Sequence, residues 1–246
     1  MFFPIIVTYN KSCVDSPTCE AVRKAHLRGI VCDNSTGDFC NREYCDENGF
    51  DYISMNGNKG LSRAYNAAIE FLSGKEGFAV ILDDDTQLPE DFFEKMEAAA
   101  ERNPDAKLLL PVVYSGENII SPAQKNGILI HSPHSIDELS TGFSAINSGM
   151  AVRLDYFGNY RYDENLFLDY IDHDFMEDFN KSGEKAEVVR DVVLRQEFFA
   201  ATNKDKKAAR KRYRIFKKDF LYFVKKHGYN KLIAVIVLLK RKLRSI

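Results

Sequence analysis

Phe78-Ala79-Val80-Ile81-Leu82-Asp83-Asp84-Asp85-Thr86, continuing into Gln87-Leu88-Pro89-Glu90-Asp91, decides the fold. Five apolar residues rich in β-formers run straight into three adjacent carboxylates, and a proline-started helix follows. A short, wholly apolar run suits a strand covered on both faces, as in a parallel sheet. The acids then stand at its C-terminal end, where open α/β sheets place their ligands. Three neighbouring like charges cost stability unless something positive sits among them. Such oxygen donors suit a hard divalent cation, Mg²⁺ or Mn²⁺, of the kind that also holds substrate phosphates. The same stretch also reads as an acidic loop in which Asp or Thr before Pro89 caps the next helix.

Working outward, strands alternate with helical patterns through the first 115 residues, which argues an α/β fold with a parallel sheet. Phe3 to Thr8 reads as a first strand, Ile30 to Asp33 as a second, Phe50 to Met55 as a third and Lys107 to Val113 as a fifth. Between them, Ser16-Pro17 opens a helix through about Arg28, Leu61 to Leu72 forms another, and Pro89 to Arg102 a third. Beyond residue 115 the alternation breaks. Ile119-Ile120 and Ile128-Leu129-Ile130 suggest a hairpin, Ala145 to Val152 is strand-like, Asp163 to Phe179 is dense in acids and aromatics, and Ala186 to Leu194 closes the body.

The chain of 246 residues is 45% apolar, enough for one large domain with an appendage. Its net charge of −2 conceals an asymmetry. From Lys204 onward 16 Lys and Arg face only Asp205 and Asp219, giving +14, while the first 203 residues carry 18 basic and 34 acidic side chains, giving −16. A basic tail on an acidic body points to an anionic partner for the tail. The five cysteines form no CxxC pair and no zinc-ligand spacing with the histidines. Their odd number, with no secretory signal at the N-terminus, fits free thiols in a reducing cytosol.

Six segments in order resemble a GT-A glycosyltransferase of glycosyltransferase family 2, within it the rhamnosyltransferase-like bacterial members. They are Ile-Val-Thr-Tyr-Asn ending the first strand, Cys-Asp-Asn-Ser-Thr-Gly ending the second, and Asn-Lys-Gly-Leu-Ser-Arg-Ala-Tyr-Asn-Ala-Ala-Ile at 58–69. Then come Leu-Asp-Asp-Asp-Thr with its downstream Leu-Pro, Asn-Ser-Gly-Met at 147–150, and Leu-Phe-Leu-Asp-Tyr-Ile-Asp-His-Asp-Phe at 166–175. Together they span about residues 3 to 198. The resemblance implies a GT-A domain over 1–200, with a nucleotide-binding half (1–115) and an acceptor-binding half (116–200), followed by a basic helical tail (201–246).

It also implies an inverting, metal-assisted transfer of a sugar from a UDP- or dTDP-sugar to a saccharide or lipid-linked acceptor in bacterial surface polysaccharide synthesis. Asp33 then accepts the N3–H of a uracil or thymine ring, with Thr8 and Asn10 lining the same pocket. Asp83 and Asp84 reach the ribose, and Asp83 and Asp85 are the DxD pair that holds Mg²⁺ or Mn²⁺, whose charge stabilises the leaving diphosphate. Asn58, Gly60 and Arg63 face the nucleotide from a loop and helix start, although Asn58-Lys59-Gly60 alone is also an ordinary turn. Ser148 and Gly149 allow close approach of the sugar. Asp172 matches the second acid of the family's "ED" signature and takes the acceptor proton. Ile171 replaces the first acid of that signature, and Asp169, on the same helical face, supplies a carboxylate to the acceptor cleft in its place. The alternative for Asp169, Asp172 and Asp174 is a plain helix cap. Family members often carry a metal-binding His after the last body strand, where this chain reads Val193-Leu194-Arg195-Gln196-Glu197.

In the tail, Ile215, Phe216, Phe220, Phe223 and Val224 recur at near-helical spacing among Lys and Arg, and Leu232 to Leu239 is an apolar run flanked by basic residues. That run is far below the roughly 20 residues a bilayer span requires. A basic amphipathic helix suits the surface of an anionic membrane, which places the protein on the inner face of the plasma membrane. A nucleic-acid contact and a cap packed on the body are the alternatives; no nucleic-acid partner is expected. Two other functional classes compete with the transferase. A strand ending in DxD also occurs in haloacid dehalogenase phosphohydrolases, but those want Thr or Val where Gln87 stands. A catalytically silent nucleotide-sugar-binding relative is the other.

Overall fold

The computed structural model describes residues 1–196 and 206–245. In chain order, β1 (Phe2–Thr8), α1 (Pro17–Lys24), β2 (Ile30–Asp33), α2 (Asn41–Asn48), β3 (Asp51–Ser54), α3 (Leu61–Phe71), β4 (Phe78–Asp83), α4 (Phe92–Arg102) and β5 (Leu108–Ser115) form the first half. They are followed by β6 (Asn118–Ser121), β7 (Gln124–Asn126), β8 (Leu129–His131), β9 (Met150–Arg153), α5 (Ile171–Ser182), β10 (Ala186–Arg195), α6 (Lys206–Lys226) and α7 (Lys231–Ser245).

The main sheet runs β10-β5-β9-β4-β1-β2-β3, with β6 paired to β5. β1 pairs in parallel with β2 and β4, and β10 with β5, whereas β9 runs antiparallel between β4 and β5. Strand alternation sends residues to two faces. Ile5, Val7, Ala79 and Ile81 pack into one apolar layer with Tyr65 of α3, Phe175 of α5, and Phe216, Phe220 and Phe223 of α6. Ile6, Val80 and Leu82 pack into the other with Cys19 of α1, Cys45 of α2 and Met96 of α4. All seven apolar positions of β1 and β4 just named are buried, which is why both strands read as unbroken apolar runs.

β9 from the second half is inserted between β4 and β5. Several expectations are corrected. The expected hairpin of Ile119-Ile120 with Ile128–Ile130 does not form: the first segment turns back on β5, and the second pairs with Gln124–Asn126. The strand expected over Ala145 to Val152 is confined to Met150–Arg153. α1 keeps Ser16 as its N-cap but ends at Lys24, with His26 in the left-handed region at φ 54. α4 begins at Phe92, three residues after Pro89, because Pro89 lies in a turn whose carbonyl accepts from Phe92 N–H. α2 is a helix without a strong sequence signal, since only Asn41 and Cys45 of its eight residues are buried.

The expected boundary at 200/201 and the start of the basic tail at Lys204 lie outside the described residues. Within them, Phe216, Phe220, Phe223 and Val224 of α6 are buried in the body's own core, with Ala234 and Leu238 of α7 beside them, while Leu221 is exposed. Each phenylalanine so placed contributes on the order of 1.5–3 kcal/mol. No described helix is long and apolar enough to cross a membrane.

Candidate active site

Parallel register brings Thr8 beside Asp33 and Val7 beside Asp83, so the C-terminal ends of β1, β2 and β4 form one edge. The strand order reverses at β1, which is where doubly wound sheets open a crevice. Three strand-end acids meet there, each held differently.

Asp33 is buried, and its Oδ1 accepts from Ser35 N–H at 2.9 Å. Its Oδ2 accepts from Asn41 Nδ2 and the Tyr52 hydroxyl, both at 3.1 Å. Burial and the Asp33 charge push the Tyr52 phenol up to about 12, so it stays a donor. The Arg42 guanidinium lies 4.6 Å from the Tyr52 ring centre. Asp84 accepts from the Thr8 hydroxyl at 3.0 Å and pairs with Lys11 at 3.3 Å. Ser16 and Thr18, at the start of α1, hold the acidic turn by its backbone: Ser16 donates to the Asp84 carbonyl at 2.5 Å and Thr18 to that of Asp83 at 2.6 Å.

Asp83 is pushed up to about 6, first by burial and then by the charge of Asp85, with Asp84 and Asp172 adding to it. A hydrogen bond from Ser148, Oγ to Oδ2 at 3.2 Å, acts in the opposite sense. Ser148 in turn accepts from Gln196 Nε2 at 2.6 Å. Gln196, at the position searched for a histidine, thus reaches Asp83 through one hydroxyl. Asp85 is exposed, and no Lys or Arg among the described residues pairs with Asp83 or Asp85. Two like-charged carboxylates at one strand end without a protein cation fit a divalent cation that draws its remaining oxygens from phosphate and water. The described residues contain no cluster of three or more His, Cys, Asp or Glu arranged to hold a metal by themselves.

The other wall is the 162–172 segment. Gly60 adopts φ +88, and a Cβ there would meet the ring and carbonyl oxygen of Phe167 at 2.7 Å. Leu61 N–H donates to that carbonyl at 2.8 Å, and the Ser62 hydroxyl donates to Leu166 O at 2.8 Å. The start of α3 is therefore seated against this segment, and Asn58 closes the turn by accepting from Gly60 N–H at 3.1 Å. Asn34 ties the same turn to β2, accepting from Lys59 N–H at 3.0 Å and donating to Gly60 O at 3.2 Å. Gly149, at φ +76, packs where a Cβ would lie 2.8 Å from Leu194 and 3.0 Å from Pro111.

Asp172 is the second residue of α5. Its Oδ1 accepts from His173 N–H at 2.8 Å. His173 itself is held through Nδ1, 2.7 Å from the Ser144 hydroxyl. The Asp172 charge adds to the upward shifts of Asp83, Tyr65, Tyr162 and Tyr170. Asp169 instead forms a two-pronged pair with Arg212 of α6, at 2.5 and 2.7 Å.

Thr8, Asp33, Asp83, Asp84, Asp85 and Ser148 thus share one end of the sheet. Asn10 points elsewhere: its side chain accepts from Thr36 N–H at 2.8 Å and braces the turn after β2. Arg63 pairs with Glu164 at 3.2 Å on an exposed flank. Sequence reasoning missed Lys11, Ser16, Thr18, Asn34, Asn41, Tyr52 and Arg212 as parts of the site. Ser16 carried a signal, since it was read as a helix cap; the others depend on contacts between segments far apart in the chain.

A family model described as "Glycosyl transferase family 2" matches residues 5–161, more than half of the chain. No curated protein matches the sequence. Among solved structures, residues 1–349 of TarS from S. aureus superpose with a TM-score of 0.57 at 14% identity, over 99% of this chain and 71% of that one. A longer TarS structure matches at the same TM-score, 0.57, and the same 14% identity over 91% of this chain and 39% of its own length. The mannosyltransferase PcManGT from Pyrobaculum calidifontis, in complex with GDP-Man and Mn²⁺, gives a TM-score of 0.61 at 13% identity, over 91% of this chain and 64% of that one. At these identities the likeness establishes a shared GT-A fold.

Proposed function

The chain belongs to glycosyl transferase family 2 and performs glycosyl transfer, and from that premise we propose an inverting reaction in which Asp172 is the base. The observation that carries this reading is the gathering of Asp33, Asp83, Asp84 and Asp85 at the edge where β1, β2 and β4 end, with the charge of Asp172 also bearing on the half-buried Asp83 carboxylate. On this reading a donor pyrophosphate with its cation lies at that edge, and the acceptor enters from the α5 side.

The acceptor hydroxyl gives its proton to Asp172, its oxygen forms a bond to the anomeric carbon from the face opposite the diphosphate, and the carbon–phosphate-oxygen bond breaks. The electron pair leaves with the nucleoside diphosphate. Mg²⁺ or Mn²⁺, held through Asp83 and Asp85, supplies charge neutralisation for that leaving group. Asp33, fixed by Asn41 and Tyr52, reads the N3–H of a UDP or dTDP base. Thr8 orients Asp84 toward the ribose while Lys11 balances its charge. Asn58 and Gly60 shape the donor side of the cleft, Asn10 supports the base pocket through the 33–36 turn, and Arg63 acts from its flank. Ser148 and Gly149 line the sugar site, and Asp169 the acceptor cleft. Residues 1–115 serve as the donor half and 116–200 as the acceptor half.

The acceptor is a saccharide or a lipid-linked saccharide of bacterial surface polysaccharide assembly, met at the inner face of the plasma membrane. What supports the membrane is α7, where Leu232, Val235, Ile236 and Leu239 remain exposed beside Lys231, Lys240 and Lys242.

Thermal shift with UDP, dTDP and GDP, each with Mn²⁺ or Mg²⁺, tests the donor, because a ligand that prefers the folded state raises the melting point. UDP or dTDP with metal is expected to stabilise the protein, and Asp85→Asn to abolish that effect. Asp172→Asn is expected to keep nucleotide binding and lose about 10²–10⁴-fold in turnover. Full turnover by this variant would remove Asp172 from the mechanism.

A further inference from the structure

Arg212, Asp219 and Lys226 are spaced by seven residues along α6 and so lie on one face of it. All three grip the segment that carries Asp172. Arg212 forks onto Asp169. Asp219, with no solvent exposure, accepts through Oδ2 from three consecutive backbone N–H groups: Phe167 at 3.2 Å, Leu168 at 2.8 Å and Asp169 at 3.0 Å. Lys226 reaches Asp174 at 2.7 Å and Asp163 at 3.1 Å.

The chain between these clamps is short. Tyr170 follows Asp169 in the left-handed region at φ 64, and α5 begins at the next residue. Residues 167–169 therefore set the direction in which the first turn of α5, and Asp172 with it, leaves the loop. Asp169 and Asp174 flank Asp172, and α6 neutralises both. Asp219 is an expensive way to hold a loop, because Oδ1 has no hydrogen-bond partner and a buried carboxylate carries a large desolvation penalty. Three N–H donors on one oxygen fix the geometry of residues 167–169.

We infer that α6 belongs to the catalytic site: Arg212 and Asp219 are positioning residues that aim Asp172 at the acceptor, and Arg212 occupies Asp169 so that the proton goes to Asp172. This rests on the reading of Asp172 as the base. Neither residue touches substrate; both act through the 167–172 segment.

The test uses the full chain with Arg212→Lys, which keeps the charge and loses the fork, and Asp219→Asn, which keeps the shape. Hydrogen exchange is followed at amides 167–174. Release of nucleoside diphosphate is measured from UDP-glucose and from dTDP-rhamnose with Mn²⁺. Expected are exchange at 167–174 faster by tenfold or more in both variants, and kcat lower by about 10²-fold for Asp219→Asn, since small misplacements of a reacting group have effects of that size. The KM for the donor is expected within twofold of wild type, a split that general loss of folded protein does not give. Unchanged exchange at 167–174 in both variants overturns the inference, as does loosened exchange with wild-type kcat. Asp172→Asn is run beside them: if it keeps full release, the base assignment fails on its own evidence, and the exchange data still decide whether α6 holds the segment.

Discussion

The two walls of the cleft are built on different principles. The donor wall consists of strand ends, where Thr8, Asp33 and Asp83 are aligned by the register of a parallel sheet and trimmed by hydroxyls and amides close at hand. The acceptor wall is a loop and a helix start, held by Asp219, Arg212 and Lys226 from the far end of the sequence. In the first, Asp84 pairs with Lys11, while no ion pair to Asp83 or Asp85 is found among the described residues. In the second, Asp169 pairs with Arg212 and Asp174 with Lys226. On the proposed mechanism the first wall receives a metal diphosphate and the second deprotonates an alcohol.

The contrast is broken most forcefully at Phe220, which has no solvent exposure and stacks 5.7 Å from Phe216 and 5.1 Å from Tyr170. Phe220→Ala is expected to destabilise the whole body by about 3–5 kcal/mol, read as one cooperative unfolding transition by urea titration. A tail that folds apart from the body would instead lose only its own helical signal, with the main transition unmoved.

pH separates the two walls. The Asp83 carboxyl is raised by burial and by Asp85, so folding favours its protonated form. That contribution is fully present below the ordinary carboxylate range and is lost as pH rises through about 6. At the acceptor wall, burial would raise Asp163, but hydrogen bonds from Asn165 and Tyr222 and the charge of Lys226 outweigh it and hold the carboxyl at about 2. Its stabilisation is present above the ordinary carboxylate range and is lost only as pH falls through about 2. Burial would lower the Lys226 ammonium, yet Asp174 and Asp163 keep it above its ordinary value, so its contribution persists until strongly alkaline pH. Between pH 8 and 5 the contributions of Asp163 and Lys226 are therefore level, while that of Asp83 gains on the order of 1 kcal/mol, a rise in Tm of about 2–4 °C in nucleotide-free protein. Asp83→Asn is expected to flatten that rise, as measured by calorimetry across the same range.

The smallest effect sharpens the contrast from outside. Leu239→Ser and Val235→Ser on the exposed face of α7 are expected to change stability by less than about 0.5 kcal/mol. Both are expected to reduce sedimentation with vesicles containing phosphatidylserine. Unaltered vesicle binding would remove this face of α7 as the contact.

The sequence alone determined the donor wall. An apolar run ending in Asp83-Asp84-Asp85, with Thr8 and Asp33 ending two more strands, fixes where the acids lie, because in a parallel sheet the C-terminal strand ends share one edge. It determined the helical character of the tail as well, through the spacing of Phe216, Phe220 and Phe223. It did not determine what that apolar stripe covers, since a 3.6-residue period is the same whether the helix meets a bilayer or its own body. Nor did it show β9 inserted between β4 and β5, Asn41 reaching Asp33 from a weakly patterned helix, or Asp219 capping residues 167–169. Those are pairings across tens of residues, and no local pattern records which partner a buried charge will find. Only the tertiary structure, by bringing α6 against the loop before α5, decided that Asp219, the one acid of α6, holds residues 167–169.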